Sequence, residues 1–380
     1  MHLGRFHAVI FDLANHFDSS NFINLFNNAI AQLSTYASSR AEEHLSDFRG
    51  ALSEAYKASE IQDQDLLQPY AQQIIQELGL TDAFAPAFMK KINAALSIEN
   101  FDTSGVVNRL TDISNELKSK IKHINSINTS FRDLDVEFQR VENGESEIGF
   151  LLPREVVGNS LKELSTEFSK LGKLAQAINE ISGAGTYDPK VITISSSWWQ
   201  IFLDLQPDQI VIWVLAIERI VNLFKANLEI KTLQQQLAKH QLPAEISEMV
   251  EKEIQKKLAS GIDELAKEIR NRHDNKDDNR ANELEIQLRQ GLSYLAKRIG
   301  EGAQVEINVS LPDIPHEPTN EDSAAGLDAK INEQIAASKE RIAALREMRD
   351  KARSASAQTY GLENSGVRLL IAEHEQDAAD

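Results

Sequence analysis

The sequence predicts a mainly helical protein with long helices, a coiled-coil-like seam, and a small three-stranded sheet in its central α+β segment. Three observations lead to this fold class. Apolar residues recur in steps of three and four from Leu110 to Val141, which is the spacing of a heptad seam. Eight consecutive apolar residues, Ile210–Ile217, lie in a second long helix whose two sides both need cover. Three short apolar or β-branched segments supply the strands.

The first hundred residues predict short helices separated by proline and glycine. Apolar side chains keep helical spacing from Phe22 to Leu33. Pro69 is well placed to begin a later helix, and Gly79 can end it. The early run Phe6–Leu13 fits either a strand or a helix.

The heptad seam requires a partner helix, from the same chain or from another copy. Asn143 and Gly144 are predicted to end its helix through a left-handed cap. The seam residues that we single out as interaction or core candidates are Leu110, Ile113, Leu117, Ile124, Phe131, Leu134 and Phe138.

Three segments predict the strands of one sheet. Glu147–Pro153 is an apolar run stopped by proline, and Lys190–Ser195 is β-branched and alternating. Ala303–Leu311 alternates Val and Ile with polar residues. A helix is predicted between the first two strands, over Ser160–Ile181. Helices that pack on this sheet make the middle of the chain α+β.

The stretch Trp198–Leu237 is the most apolar part of the chain and contains all three tryptophans. A helix is predicted to begin after Pro207 and to run to about residue 239. We expect this helix to be buried by the sheet and by a helical hairpin whose polar turn is His273–Asn279.

We expect Trp213 and Leu215 to be largely buried. The candidates from this stretch for the core or for an interaction surface are Trp198, Trp199, Trp213, Ile210, Val214, Ile217 and Val221.

The composition divides the chain into four predicted parts. They are an N-terminal helical domain, a central α+β domain, a proline-containing linker, and a C-terminal amphipathic helix with an acidic tail. The chain beyond Ser354 is expected to be mobile, apart from a short helix around Val367–Ile371. The four parts span residues 1–145, 146–312, 313–323 and 324–380.

The sequence predicts no catalytic, cofactor-binding or metal site. There is no cysteine, so thiolate chemistry and cysteine ligation are excluded. No phosphate-binding, dinucleotide or hydrolase motif is present. The polar run Asp274–Asn282 lacks the glycine and glutamate of a calcium loop. Ser195, Ser196 and Ser197 lie near Lys190, but turning the chain after a strand is their simpler role.

The charge excludes a further class of partner. The net charge is −18 and no segment is basic, so we expect no nucleic-acid binding. The absence of cysteine and of a recognisable signal peptide favours the cytoplasm.

These patterns favour a non-enzymatic helical scaffold or interaction protein that forms a homo-oligomer or binds a protein partner. The alternative is a membrane-active protein with the layout of helical pore-forming toxins. That alternative is not favoured, because Gln209–Phe224 gives only 16 residues and includes Glu218 and Arg219, whereas a span needs about 20 apolar residues. An unrecognised enzyme in the α+β segment is the third hypothesis.

Overall fold

The computed structural model describes most of the chain and divides it into two compact units, Met1–Arg140 (unit 1) and Val141–Asp380 (unit 2). Twelve α-helices and four strands lie in the described part, so the mainly helical prediction is confirmed. The described residues are 2–97, 103–158, 160–183, 189–195, 199–238, 244–272, 278–312 and 327–364.

The regular secondary structure described in unit 1 is all helical, and the run Phe6–Leu13 is part of a helix rather than a strand. Its core includes an aromatic cluster in which Phe88 packs edge-to-face on Phe22 and Phe26, with ring centroids 5.0 and 5.1 Å apart. The elements are α1 Leu3–Ser20, α2 Phe22–Ser39, α3 Glu42–Ala58, α4 Pro69–Glu77, a 3-10 turn Thr81–Ala83, α5 Ala87–Leu96 and α6 Thr103–Asp133.

Helix α6 ends earlier than the sequence predicts. Asp135 adopts a left-handed conformation (φ +50°), and the Val136 N–H bonds to the Phe131 carbonyl oxygen at 2.9 Å. This is the 6→1 bond of a Schellman cap, formed with Asp where Gly is usual. The prediction that Leu134, Phe138 and Val141 continue a helical seam is therefore wrong.

Residues 136–140 instead form a non-helical segment, which we call the strap, that is hydrogen-bonded to α1. The Gln139 N–H bonds to the Gly4 carbonyl oxygen at 3.2 Å, and His7 Nδ1 bonds to the Val136 carbonyl oxygen at 3.0 Å. A Cβ on Gly4 would stand 2.9 Å from the Gln139 Cβ, so this close approach requires glycine. The strap is thus fitted to the α1 backbone.

Asp12 of α1 forms an ion pair with Arg140 at the end of the strap. Burial raises the pKa of Asp12 to about 6, and the nearby Asp63 and Asp65 add to this rise while Arg140 opposes it. The folded state therefore holds this proton more tightly than the unfolded chain does, so ionising Asp12 costs folding free energy.

Unit 2 contains the four-stranded antiparallel sheet, with strand order β2-β3-β1-β4. The three predicted strands are present, but the three-stranded prediction missed Trp199–Asp204, which lies between two of them. The elements are β1 Ser146–Leu152, α7 Arg154–Val157, α8 Leu161–Ile181, β2 Val191–Ser195, β3 Trp199–Asp204, α9 Pro207–Ala238, α10 Ala244–Arg270, α11 Asp278–Gly300, β4 Gln304–Val309 and α12 Leu327–Asn364.

One face of the sheet is apolar and belongs to the core of unit 2. Directly paired residues share a face, so Phe150 of β1 lies between Ile201 of β3 and Val305 of β4. This face packs into one cluster with α8, α9, α10 and α11. The apolar layer therefore joins strands β1, β3 and β4 to the helices of the unit.

The central helix α9 is buried by other elements of unit 2, as its apolar composition requires. Trp213 is buried and packs edge-to-face on Phe150, with ring centroids 5.6 Å apart. Ile210, Val214, Ile217 and Val221 are buried in the same cluster. Leu215 is partly buried and packs against this cluster, on the side of the helix that borders a groove on the surface.

Helix α12 continues to Asn364, so the expectation of a mobile chain beyond Ser354 is wrong in the described part. The Ser- and Ala-rich composition serves close packing, because Ala352 and Ala355 are fully buried against the core. The predicted linker 313–323 and the predicted short helix 367–371 lie outside the described residues.

Val214→Asp tests the cover of α9. Val214 is 6% exposed, so an aspartate there would place an unpaired charge in the core, and we expect a loss of at least about 3 kcal/mol in unfolding free energy. The matched control is Val211→Asp on the same helix, where the side chain is 37% exposed, with an expected loss under about 1 kcal/mol. Denaturant unfolding measures both, and equal losses would contradict the described cover.

Asp12→Asn tests the ionisation cost in unit 1. Because its pKa is raised from 3.8 to about 6, the contribution of Asp12 to stability is fully present below about pH 4 and is lost as the pH rises through about 6, by up to about 3 kcal/mol. In the variant this part of the pH dependence should disappear. Asp18→Asn, at an exposed position of the same helix, should keep it. Identical pH profiles for wild type and Asp12→Asn would refute the buried carboxyl.

Candidate interaction surface

The predicted candidate residues do not form one surface. In unit 1, Leu110, Leu117 and Ile124 are buried on α6, which packs against α1, α2 and α5. Ile113 and Phe131 are half-buried, and Leu134 and Phe138 are exposed beyond the helix end. In unit 2, Ile210, Trp213, Val214, Ile217 and Val221 are core residues, Trp199 is half-buried, and Trp198 lies outside the described residues.

A buried ionic cluster is the first site in unit 2 that could carry chemistry. The Glu167 carboxylate accepts hydrogen bonds from Tyr294 Oη and from Arg298 Nε, the latter at 3.0 Å. Arg298 also donates to Glu301 at 2.6 Å. Burial and the bond to Glu167 raise the pKa of Tyr294, which keeps its hydroxyl protonated. The groups satisfy one another, so the cluster fastens α8 to α11.

The second face of the sheet, which carries buried glutamates beside the apolar Leu151 and Phe202, is the next candidate. The amide nitrogen of Asn308 donates to Glu147 at 3.0 Å and to Glu306 at 2.7 Å, joining carboxylates on β1 and β4. Both glutamates are buried. A buried pair bridged by an amide is suited to fixing strand register, whereas a general acid or base has to reach a substrate.

A groove of about 370 Å³ lies between α9 and α12. Its floor is apolar and its rim carries two acidic and two basic side chains, with Glu347 and Lys351 already paired at 2.7 Å. The floor residues are Ile210, Val211, Val214, Leu215 and Met348, and the charged rim residues are Glu218, Arg272, Glu347 and Lys351. The groove explains the half-burial of Leu215, and its balanced charge selects no particular ligand.

A larger depression, of about 700 Å³, lies in unit 1 between the α1–α2 corner and α6. Its lining is mixed, with Lys118 and Lys122 on one side and Asp18 on the other. Asn125 donates to Asp18 at 3.2 Å across it. With two lysines and one aspartate, the lining has a small excess of positive charge.

The two edges of the sheet differ in how they are protected. At β4, α12 covers the backbone: the Ile307 N–H donates to Ser356 Oγ at 2.9 Å and the Val305 N–H to Thr359 Oγ1 at 3.1 Å. Sequence reasoning missed this contact, although Ser356 and Thr359 are spaced to lie on one helix face.

Strand β2 forms the other edge, and in the described part of the chain no strand pairs with its outer side. Val191, Ile192 and Ile194 are each about half exposed there. Exposed β-branched residues on an unpaired edge are a favourable surface for another strand. The sequence showed this strand, but it could not show that the strand lies at an edge.

No family model, curated protein or solved structure matches this chain. The site must therefore be judged on its own geometry. Among the described residues, no three His, Asp or Glu side chains are grouped so that they could hold a metal ion. In the same part of the chain, no helix combines the length and apolar character needed to cross a membrane.

Arg298→Leu tests whether the ionic cluster is a structural fastening. The substitution leaves Glu167 charged and buried, so we expect a loss of about 3–5 kcal/mol in unfolding free energy. Arg289→Leu on the same helix removes an exposed arginine, 3.8 Å from Asp263, and should cost under about 1 kcal/mol. A loss for Arg298→Leu as small as that of the control would show that the cluster does not fasten the two helices.

Proposed function

We propose that this chain is a non-enzymatic, mainly helical scaffold that acts by associating with protein, in the first place with copies of itself. The observation that carries the proposal is the exposed apolar edge of β2. Soluble proteins usually protect such an edge with charge, proline, a short strand or a covering element, because it pairs readily with other strands. Here Pro189 precedes the strand and its length is five residues, yet three β-branched side chains remain accessible.

The polar sites support a structural role over an enzymatic one. The carboxylates of Glu147, Glu167 and Glu306 are buried, and each accepts a hydrogen bond: Glu147 and Glu306 from Asn308 of β4, and Glu167 from Arg298 of α11. Such groups hold register and fasten helices. The enzyme hypothesis would require an accessible acid, base or nucleophile, and Ser196 and Ser197, the remaining candidates, lie outside the described residues.

The position of α9 supports association over the membrane-active alternative. Trp213 and most of the apolar run around it are in contact with the sheet and with α10 and α11. A membrane-active segment would first have to leave this core, at the cost of the burial free energy of those side chains.

The proposal places the interaction in unit 2 and in the cytoplasm. The buried members of the α6 seam are committed within unit 1, so a coiled coil with a second copy would have to use the half-buried Ile113 and Ile127. A chain without cysteine suits a reducing compartment, since its assembly requires no disulfide.

Light scattering after size-exclusion chromatography, over a wide range of protein concentration, tests the proposal. We expect a mass above the 42.5 kDa of one chain, rising towards a limiting value as the concentration increases. A mass of 42.5 kDa at every concentration would contradict self-association.

A further inference from the structure

We propose that the strap, residues 136–140, is a releasable latch: it detaches from α1 as a unit, turning about Asp135, while the helices of unit 1 stay folded. Release uncovers two polar side chains of α1, His7 and Asp12, which are buried when the strap is docked. This inference goes beyond the proposed function and does not depend on it. It follows from the contacts that hold the strap, from the contacts of α1 that do not involve it, and from the fit of Gly4.

The strap is held to α1 by a short set of mostly polar contacts. Two hydrogen bonds join its backbone to α1, one from the Gln139 N–H to Gly4 and one between Val136 and the His7 ring. The Phe138 ring packs edge-to-face on the His7 ring with centroids 5.3 Å apart, but the residue is 41% exposed. None of the five strap residues, all of which the structure describes, is fully buried. A segment with so few buried apolar contacts opens at a lower free energy than the core.

The ion pair at the end of the strap is a modest fastening. Arg140 contacts the Asp12 carboxylate, but 45% of the arginine side chain is exposed, so water screens the attraction. Burial raises the pKa of Asp12 to about 6 even with Arg140 in contact, which means that the arginine compensates only part of the desolvation of the carboxylate. Water that reaches Asp12 on release therefore offsets the loss of its partner.

Helix α1 also has contacts in the core of unit 1 that do not involve the strap. Ile10 and Leu13 are fully buried, and the Phe6 ring packs edge-to-face on Phe131 of α6 with centroids 5.7 Å apart. The hydrogen bond that caps α6 lies on the helix side of the strap, so it can persist when the strap leaves. Opening can therefore stop at Asp135, where the left-handed backbone already turns the chain out of the helix.

Gly4 makes the docked position sensitive to a single methyl group. A Cβ on Gly4 would stand 2.9 Å from the Gln139 Cβ and 2.9 Å from the Glu137 carbonyl oxygen. Neither atom is the end of a flexible side chain, so the strap itself would have to move. Gly4 lies within α1, where alanine is a better helix former than glycine. Gly4→Ala should therefore open the strap without weakening the helix.

Native-state hydrogen exchange tests release in the wild-type chain. The Gln139 N–H bonds to Gly4 only when the strap is docked, so we expect it to exchange through a local opening that low denaturant concentrations do not change. The Leu13 N–H, in the buried part of α1, should exchange at least about a hundredfold more slowly and in step with global unfolding. The same denaturant dependence for both amides would overturn the latch, because the strap would then open only when the unit unfolds.

Gly4→Ala and Gly50→Ala form a matched pair of variants. Both replace a helical glycine with alanine, but a Cβ at Gly50 meets no atom within 4 Å. Gly4→Ala should raise the exchange rate of the Gln139 N–H by more than about tenfold and leave that of Leu13 unchanged, whereas Gly50→Ala should change neither. Wild-type exchange of Gln139 in Gly4→Ala would overturn this inference. The measurement on the wild-type chain remains decisive if Gly4→Ala fails to fold.

Limited digestion with trypsin, which cuts after lysine and arginine, gives a second readout of release. Cleavage requires a flexible chain, so the bond after Arg140 should be cut several-fold faster in Gly4→Ala than in the wild type. Arg109 is exposed within α6, and cleavage there should be equally slow in both proteins. Mass spectrometry of the fragments measures both rates. An equal rate after Arg140 in the two proteins would contradict release of the strap.

Discussion

The contact between α9 and the apolar face of the sheet is the constraint on which unit 2 depends. An eight-residue apolar run cannot lie on a surface, so it requires cover on several sides. Phe150 of β1 contacts Trp213 on one side, and the hairpin of α10 and α11 contacts the helix on another. The same apolar layer also contains residues of α8 and of strands β1, β3 and β4.

The polar groups of unit 2 are arranged around that layer rather than within it. The cluster of Glu167 and Arg298 joins α8 and α11 near one margin, and the amide of Asn308 joins two strands on the opposite face of the sheet. Each charge is close to its partners, which is the condition under which a buried charge is tolerated. The charged and polar residues of these two sites therefore hold helices and strands in place.

The sequence predicted those elements whose residues repeat with a clear period. The strand Lys190–Ser195 and the helix after Pro207 were found because alternation and apolar run length are local properties. Strand β3 was missed because Trp199–Asp204 adjoins the apolar helix, and the two were interpreted as a single stretch. The end of α6 was misplaced because an aspartate, Asp135, takes the position in which glycine is usual.

Other features could not be predicted because they depend on contacts between distant segments. Strand β2 is exposed because it lies at the end of the strand order. The sequence of a single strand does not determine that order. The hydroxyls of Ser356 and Thr359 can accept hydrogen bonds from β4 only when α12 lies against that strand. The same composition, read alone, is typical of a solvated tail.

The strand order also has a consequence for the synthesis of this chain. Strand β1 is a neighbour of β4, yet β4 emerges from the ribosome about a hundred residues after β3 is complete, and α12 follows later still. At roughly 5–20 residues per second, this leaves β1 without its second neighbour for about 5–20 seconds. A nascent sheet of three strands then has two bare margins, at β2 and at β1; β4 later pairs with β1, and α12, which covers the outer edge of β4, is synthesised after it. Unit 2 is therefore most open to chaperones, and to pairing with other nascent chains, in that interval.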